Sequence, residues 1–514
     1  MNKFLSALFA LLMIIGNVSA QVRPKEGGML NYRLIGFSPF IGMQHGNYAI
    51  QIASGDITSD TAFKNNIIKT VVCKTGRAIA EVPSFGSWYT WRVVTFKGHA
   101  IKSFSKLYHF QVVPASDLDT SLVRVRIMKQ AEKYKDAYVL LDGNRAMYDM
   151  EGKLVWYLPK SKGYDSNVRD LKVSPEGTLT LLSNNNALEI NYNGELLWKG
   201  PDDGKVSGAG KEQYHHEFTR LSNGHYMVLG SENVLVKTAP STNKNFITFA
   251  GLDAEMMKKD STVNQVSFGT VIEYDVQGNV VWSWKASEYF KRSELAKYAP
   301  ENGENALGPV LHMHENAFFF DEKEKVVYVS FKNISRIVKV KYPEGTVLNE
   351  YGEQYKPGVP VEGNGLYCNQ HACKRSAVGC LFLFNNNGCN PGALPKIKKL
   401  AETMNKEEPL KKIWEYTCTV ERGVPVQFHT GGNVSELPDQ SLFVCMGSEY
   451  SKLFIVNKDK EILWSALPEK WNKDKEAWLP LPQYRASIIQ DPAQIEKLIF
   501  STEVPVDNKH GEAN

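Results

Sequence analysis

The sequence has 514 residues, a formal net charge of +4 at pH 7, and 43% hydrophobic residues. A chain of this length is more than one core usually supports, so two domains are expected, one of them large. The small net charge, without a concentrated basic face, argues against nucleic acid as a partner.

The first twenty residues have the pattern of an export signal. Lys3 precedes an apolar run over residues 4–15, and the small-residue sequence Val18-Ser19-Ala20 follows it. Residues 1–20 are therefore predicted to be a signal peptide. The apolar run is shorter than the roughly 20 residues that a membrane-spanning helix needs, and no later stretch reaches that length without charges. We expect a periplasmic or secreted protein without stable membrane insertion.

Residues 21–118 are predicted to form a β-sandwich of the immunoglobulin or fibronectin III type. Short alternating strands, clearest at 48–52 and 88–94, are separated by Gly and Ser turns. About seven such strands in about 100 residues fit a sandwich. The Tyr-x-Trp-x-Val pattern that begins at Tyr89 looks like a late fibronectin III strand, and nothing in this segment suggests chemistry.

From about residue 120 onward, one phrase recurs: a polar turn, usually with Gly, followed by an alternating strand. Copies lie at 148–156, 191–198, 274–282, 342–348 and 457–464, with companion hairpins at 221–229 and 437–444. A hairpin recurring every 40 to 65 residues or so is typical of propeller blades. The fold class is therefore predicted to be all-β, with residues 119–514 forming a six-bladed β-propeller. Helical insertions are predicted at 253–259, 287–298 and 397–408.

Histidines recur at comparable places in four of these repeats. His216, His314, His371 and His429 each precede a predicted hairpin. In a propeller such positions lie near the central axis, so the four imidazoles are expected to converge. One histidine alone is more often part of the framework, whereas four in register favour a functional site.

The segments around these histidines resemble the active-site stretches of the bacterial arylsulfate sulfotransferases. The matching segments are Tyr214-His215-His216-Glu217, His314-Glu315-Asn316 with Ser330-Phe331-Lys332-Asn333, Asn369-Gln370-His371-Ala372 with Asn385-Asn386-Asn387-Gly388, and Tyr484-Arg485-Ala486. This family has an N-terminal β-sandwich and a six-bladed propeller. Its members move a sulfuryl group from phenolic sulfate esters to phenols without a nucleotide sulfate donor.

The resemblance implies catalytic roles for five residues, which are His371, His216, His314, Asn316 and Lys332. His371 would be the nucleophile of a ping-pong reaction, becoming sulfated and then passing the group on. His216, His314 and Asn316 would surround the sulfuryl oxygens. Lys332 stands where the family has arginine, which keeps the charge but loses the bidentate fork.

The resemblance also implies substrates and further binding residues. The candidate substrate-binding residues are His215, His429, Thr430, Tyr484 and Arg485. The expected partners are a phenolic sulfate donor and a phenol acceptor, with no cofactor and no metal, and a homodimer is compatible with the family.

The sequence leaves open whether the cysteines form disulfide bonds or bind a metal. Six of the seven lie between Cys368 and Cys445. An oxidising compartment favours one or more disulfide bonds there, although the odd count leaves at least one thiol and buried cysteines are common in β-cores. The pairing is open. A zinc site at Cys368 and Cys373, which flank His371, is the sharper alternative, but the spacing matches no standard finger.

Two other classes of function compete with the sulfotransferase. A non-catalytic propeller that binds glycans or cell-surface polymers would usually show aromatic pairs on an exposed face rather than imidazoles at several blade origins. A metal hydrolase using His and Cys would usually add acidic ligands, which this pattern lacks.

Overall fold

The protein is all-β over the residues that the computed structural model describes. These are residues 22–39, 48–73, 76–98, 100–164, 167–237, 263–290, 311–352, 365–390, 392–405, 409–421, 423–426 and 430–503. The chain divides into two compact units, residues 1–116 and 117–514. The helices are α1 (Asp60–Asn65), α2 (Ala286–Tyr289) and α3 (Pro492–Phe500), with 3-10 turns at Glu132–Tyr134, Lys160–Lys162 and Ser501–Glu503. No helix in the described part of the chain is long and apolar enough to cross a membrane.

The described residues of the first unit form eight strands in two sheets. They are β1 (Gly28–Leu30), β2 (Leu34–Phe37), β3 (Tyr48–Ser54), β4 (Ile67–Cys73), β5 (Ala78–Glu81), β6 (Ser87–Lys97), β7 (Ala100–Phe104) and β8 (Tyr108–Val112). The larger sheet has the order β1-β8-β6-β3-β4 with β7 on β6, and β2 pairs with β5. Fully buried Trp91 packs against Phe37 and Tyr108, with ring centroids 5.2 and 4.9 Å away. The strands predicted at 48–52 and 88–94 are confirmed as parts of β3 and β6, while the sandwich itself stays a prediction.

In the part of the second unit that the structure describes, the strands form six sheets, numbered here in chain order. Sheets 1 to 3 are built from β10 (Tyr138–Leu141), β11 (Ala146–Asp149), β12 (Leu154–Tyr157) and β35 (Ala486–Ile489); β13 (Val168–Val173), β14 (Leu179–Ser183), β15 (Asn186–Ile190) and β16 (Leu196–Lys199); and β17 (Phe218–Arg220), β18 (Tyr226–Lys237), β19 (Val263–Tyr274), β20 (Val280–Lys285) and β21 (Leu311–His312).

Sheets 4 to 6 follow the same plan. Their strands are β22 (Glu315–Asp321), β23 (Val326–Phe331), β24 (Arg336–Lys341) and β25 (Val347–Gly352); β26 (His371–Arg375), β27 (Leu381–Asn385), β28 (Lys396–Glu402) and β29 (Leu410–Thr417); and β30 (Asn433–Glu436), β31 (Leu442–Cys445), β32 (Leu453–Val456), β33 (Ile462–Asn472), β34 (Ala477–Pro480) and β9 (Val123–Lys129). The strand order is sequential within sheets 2 to 6, whereas in sheet 1 the C-terminal strand β35 takes the first place, beside β10.

The recurring phrase of the sequence is the hairpin between the third and fourth strands of a sheet. It occurs in sheets 1, 2, 3, 4 and 6 as predicted. The register shifts by one residue in this hairpin in all six sheets, for example between Met147 and Tyr148 and between Ile455 and Val456. Such a bulge increases the twist of a strand pair, which helps the outer strand follow the twist of the rest of its sheet.

The helix predicted at 397–408 is wrong. Residues 396–402 form strand β28, which pairs with β27 and β29. Ile397 and Leu400 lie on opposite faces of β28, and both are buried because Ile397 packs with residues of sheet 6 and Leu400 with residues of sheet 4. Buried residues three apart imitate a helical face. The insertion predicted at 253–259 lies outside the described residues, and that at 287–298 is described only as far as 290, where α2 covers its first residues.

Tryptophans on the outer strands join neighbouring sheets. The indole Nε1–H of Trp156 in sheet 1 donates to the carbonyl of Tyr192 in the turn of sheet 2, at 2.7 Å. Equivalent bonds join sheet 3 to sheet 4, sheet 5 to sheet 6, and sheet 6 back to sheet 1, from Trp282, Trp414 and Trp464 at 2.8, 2.8 and 3.0 Å. The tryptophans that end three of the phrases, Trp156, Trp282 and Trp464, therefore also satisfy their indole N–H across a sheet boundary.

Candidate active site

The first strand of each sheet, here called the leading strand, brings one segment to a common site. The leading strands are β35, β13, β17, β22, β26 and β30. Neighbouring leading segments contact each other, and sheet 1 also contacts sheet 6, since the side-chain amide of Asn433 donates to the carbonyl of Ala486 at 2.8 Å. Side chains distant in sequence therefore lie together where these strands begin.

The backbone turns left-handed at the start of four leading segments. Asp170, His216, His314 and Ala372 have φ values of 53°, 61°, 60° and 52°. This conformation is costly for residues other than glycine, by about 1 to 3 kcal/mol, and tends to occur at functional sites. In sheets 2, 4 and 5 it coincides with a register shift in the leading strand. A bulge of this kind re-aims a side chain away from the regular alternation of a strand.

His371, at the start of β26, has both ring nitrogens engaged. The backbone N–H of Gly431 donates to its Nε2 at 3.2 Å, and its Nδ1 lies 2.6 Å from Oδ1 of Asn386. The amide of Asn386 donates in turn to the carbonyl of Gly431 at 3.0 Å, so its oxygen is free to accept. Because a backbone N–H can only donate, Nε2 carries the lone pair and Nδ1 carries the proton.

The electrostatic surroundings keep the His371 ring neutral. The residue is 1% exposed. Burial, followed by the nearby Lys332 ammonium, lowers the pKa of His371 to about 3. Burial also lowers the pKa of Lys332 itself, and among the described residues no carboxylate forms an ion pair with it. A cation without a counterion beside a neutral imidazole is a favourable place for a bound anion.

His215 and His216 bring a pair of hydrogen-bonded imidazoles to the site. Nε2 of His215 lies 3.1 Å from the carbonyl of Gly230, and its Nδ1 lies 2.7 Å from Nδ1 of His216. Since the carbonyl can only accept, Nε2 of His215 carries the proton, and His216 must donate from Nδ1. Nε2 of His216 therefore holds a lone pair. Burial, with His215 and His314 adding to it, lowers the pKa of His216 well below its usual value.

Aromatic contacts hold these rings together. The ring of His216 lies 5.1 Å from that of His314 and 5.8 Å from that of Tyr484, and Tyr484 lies 6.2 Å from His371. The phenol oxygen of Tyr484 is buried and has no hydrogen-bond partner among the described residues. It is therefore a donor that a ligand could satisfy.

Asn316 ties the His314 segment to the His371 segment. Its amide nitrogen donates to the carbonyl of Gln370 at 2.6 Å, while its Oδ1 is buried and has no partner within the described part of the chain. The carbonyl of Asn316 accepts from Arg485 at 2.9 Å.

Arg485 belongs to a buried ionic network beneath the histidines. Its Nη1 lies 2.8 Å from Asp170 and 2.6 Å from Glu217. Lys172 and Lys374 also bind Glu217, at 3.1 and 2.7 Å. Although burial alone would raise it, these cations hold the pKa of the Glu217 carboxyl below its usual range. Three cations face two carboxylates here, so this network adds positive charge below the site.

Close packing fixes the Gly431 amide. Both Gly431 and Gly432 have positive φ, at 69° and 98°. A Cβ on Gly432 would lie 2.5 Å from the ring of Phe384, and one on Gly447 would lie 2.2 Å from the nitrogen of Gly432. Glycine is therefore required where the chain passes under Nε2 of His371.

The structure brings most of the residues predicted from sequence into one place. His371, His216, His314, His215 and Tyr484 form a connected set, with Lys332 close enough to act on the charge of His371. Thr430 is exposed beside Gly431 and shares a hydrogen bond with Ser448, whereas His429 lies outside the described residues. Nη1 and Nη2 of Arg485 donate hydrogen bonds to groups of the protein itself, namely Asp170, Glu217 and the carbonyl of Asn316.

Sequence reasoning did not single out Asn386 or Gly431. Asn386 stands in the run Asn385-Asn386-Asn387-Gly388, and Gly431 in Gly431-Gly432. Both runs mark turns, but Asn386 reaches His371 from the end of the neighbouring strand of sheet 5, and Gly431 reaches it from sheet 6. Only the pairing of strands and sheets could reveal these contacts.

The cysteines do not form a metal site in the described residues. No group of three His, Cys, Asp or Glu side chains there is arranged to hold an ion. The backbone N–H of Cys389 lies 3.1 Å from Sγ of Cys368, which places these two residues side by side near His371. The expected disulfide bonds stay a prediction.

Comparison with solved structures finds distant matches. A protein of unknown function from Bacteroides caccae is 13% identical with a TM-score of 0.38, over 69% of this chain and 100% of that one. An auxiliary nutrient binding protein from Bacteroides ovatus ATCC 8483 is 10% identical with a TM-score of 0.32, over 90% and 92%. AztD from Citrobacter koseri is 7% identical with a TM-score of 0.30, over 87% and 98%. These scores are too low to support a functional argument.

Comparison with curated protein sequences finds no significant match. The sequence profile of the arylsulfotransferase (ASST) family, in contrast, matches residues 124–408. This range covers more than half of the chain and contains His216, His314, Lys332 and His371. The chain belongs to the arylsulfotransferase (ASST) family.

Proposed function

We propose that this protein is an arylsulfate sulfotransferase that moves a sulfuryl group from a phenolic sulfate ester to a phenol through a sulfated His371. The observation that carries the proposal is the pair of contacts on the His371 ring. Asn386 accepts from Nδ1 and Gly431 donates to Nε2, so the neutral ring presents a lone pair at Nε2. A buried neutral imidazole beside an unpaired ammonium suits attack on an anionic sulfate ester.

In the first half of the reaction, Nε2 of His371 gives up its hydrogen bond from the Gly431 N–H and forms a bond to sulfur, while the bond from sulfur to the aryl oxygen breaks. The electron pair of that bond leaves with the phenolate, which takes its proton from solvent. The transition state of such a transfer is loose and in line, so positioning and charge stabilisation dominate. Lys332 and the Gly431 N–H are the groups placed to stabilise the sulfuryl oxygens, with His314 and Asn316 beside them.

In the second half, the oxygen of an acceptor phenol attacks the sulfur and the N–S bond breaks. The electron pair of that bond returns to Nε2 of His371. The phenol proton passes to Nε2 of His216, whose lone pair follows from the chain of contacts through His215 to the Gly230 carbonyl. A neutral imidazole is suited to this role as a general base.

We further propose that the six sheets of the second unit are the blades of a six-bladed propeller. The contacts between sheets 1 and 6 and the place of β35 in sheet 1 support this arrangement. The first unit is proposed to be a β-sandwich domain. The predicted signal peptide supports a periplasmic or secreted location, where phenolic sulfates would be met without nucleotide donors.

Mass spectrometry of the protein after brief exposure to a chromogenic aryl sulfate tests the mechanism. We expect an added mass of about 80 Da on the His371 peptide of the wild type, as a covalent intermediate requires. The His371→Ala variant should show neither the adduct nor release of the phenol. An exposed lysine variant, Lys323→Gln, serves as a matched control for handling and folding.

The alternative outcome would favour a different class of function. If the wild type forms no adduct and releases no phenol over a range of donors and acceptors, the sulfotransferase proposal is wrong. A non-catalytic propeller that binds glycans or cell-surface polymers would then be the better hypothesis.

A further inference from the structure

A second cation lies at the open side of the site, on a sheet that carries none of the catalytic histidines. Arg169 is exposed in β13 and precedes the left-handed residue Asp170. His371 and His215 hold the same place relative to the left-handed residues of sheets 5 and 3. Sheet 2 therefore presents a guanidinium where those sheets present imidazoles.

The Arg169 guanidinium is connected to the histidines through one aromatic ring. Its central carbon lies 5.1 Å from the ring centroid of Tyr484, whose ring lies 5.8 Å from His216 and 6.2 Å from His371. A guanidinium at this distance over a tyrosine is held by a cation–π interaction. The contact keeps the side chain against the site and leaves its edge N–H groups available.

Arg169 has no acidic partner in the described part of the chain. The nearest carboxylate in sequence, Asp170, is already bound by Lys172 at 2.8 Å and by Arg485 at 2.8 Å. The charge of Arg169 is therefore uncompensated, as is that of Lys332 on sheet 4. The two cations differ in what they recognise, because an ammonium acts as a point charge whereas a guanidinium forms a planar fork.

We infer that Arg169 is a second anion subsite, which selects phenols and aryl sulfates that carry a carboxylate on the ring. This inference rests on the proposed function. With the sulfuryl group at His371 and Lys332, the aryl ring of the substrate extends towards the open side of the site. The far end of a single benzene ring then comes within reach of a group separated from His371 by one tyrosine. A fork of parallel N–H groups matches the geometry of a carboxylate.

Ping-pong kinetics allows the subsite to be tested separately for donor and acceptor. kcat/KM is measured for matched pairs of aryl sulfates and of phenols, with and without a para carboxylate, in the wild type, Arg169→Gln, Arg169→Lys and the control Lys323→Gln. Each hydrogen-bonded contact to a charged group is worth about 1.5 to 3 kcal/mol, so the wild type should prefer the carboxylated member by roughly 10- to 150-fold. Arg169→Gln should bring that ratio close to one, Arg169→Lys should leave part of it, and Lys323→Gln should leave it as in the wild type.

Three results would overturn the inference. A wild type that turns over both members equally has no such subsite, although the sulfotransferase proposal would stand. An equal loss for both members in Arg169→Gln would mean that this residue only attracts the sulfate group by long-range charge. A wild type that transfers sulfuryl to or from none of the compounds would refute the proposed function itself, and the inference with it.

Discussion

Replacing Asn386 by Ala removes the acceptor that holds the proton on Nδ1 of His371. The ring is 1% exposed, so this N–H would be left buried without a partner. An unsatisfied buried donor costs about 1 to 3 kcal/mol, and the ring can lower that cost only by turning, because a proton moved to Nε2 would face the Gly431 N–H. A turned ring no longer holds the lone pair of Nε2 in the reacting orientation. We expect kcat/KM for the aryl sulfate donor to fall by roughly 5- to 150-fold, by the same free energy.

The assay is the pre-steady-state burst of phenol release, followed together with the mass adduct on His371. Asn386→Asp keeps an acceptor for the Nδ1 proton and loses only the bond to the Gly431 carbonyl, so it should retain more activity than Asn386→Ala. Its added negative charge should also raise the pKa of His371 and bring acid inactivation to higher pH. Asn349→Ala, on an outer strand, is the control. A burst in Asn386→Ala at the wild-type rate would refute the conclusion that Asn386 keeps the reactive lone pair on Nε2 of His371.

Four further predictions rest on the charges around the site. Lys332→Met should lower donor kcat/KM by about 3 kcal/mol, roughly 150-fold, with Lys332→Arg close to the wild type; an active Lys332→Met would contradict its role. Since the pKa of His371 lies at about 3, the burst should be the same at pH 8 and pH 5, and a loss centred near pH 6.5 would show an ordinary exposed imidazole. The same lowered pKa means that the unfolded state takes up protons first, so the contribution of His371 to stability is present above pH 6.5 or so and is lost as the pH falls towards 3. Arg485→Met should lower the free energy of unfolding by about 3 kcal/mol, because Asp170 and Glu217 would keep only Lys172 and Lys374; unchanged denaturant midpoints would argue against the network.

Much of the fold could be read from local patterns. Turn residues followed by alternating strands predicted the third hairpin in five of six sheets, since glycine and polar turns mark the chain reversals directly. The exception is sheet 5, where the connection between β28 and β29 lacks the phrase and burial of both faces of β28 disguised a strand as a helix. The recurrence of histidines before hairpins likewise predicted which imidazoles come together, because the start of each leading strand is a topologically equivalent place.

What only the tertiary structure decided is the chemical state of those imidazoles. A histidine in the sequence has two ring nitrogens, and the hydrogen-bond partner of each nitrogen determines which of them carries the proton. For His371 these partners are Asn386 and Gly431, on sheets 5 and 6, and for His216 the chain of contacts ends at the Gly230 carbonyl. The place of Arg169 beside Tyr484 is decided in the same way, by the return of the C-terminal strand to sheet 1. The sequence by itself therefore determined the elements and the residue types at the site, whereas their protonation and reach depend on contacts between strands and between sheets, which no local pattern encodes.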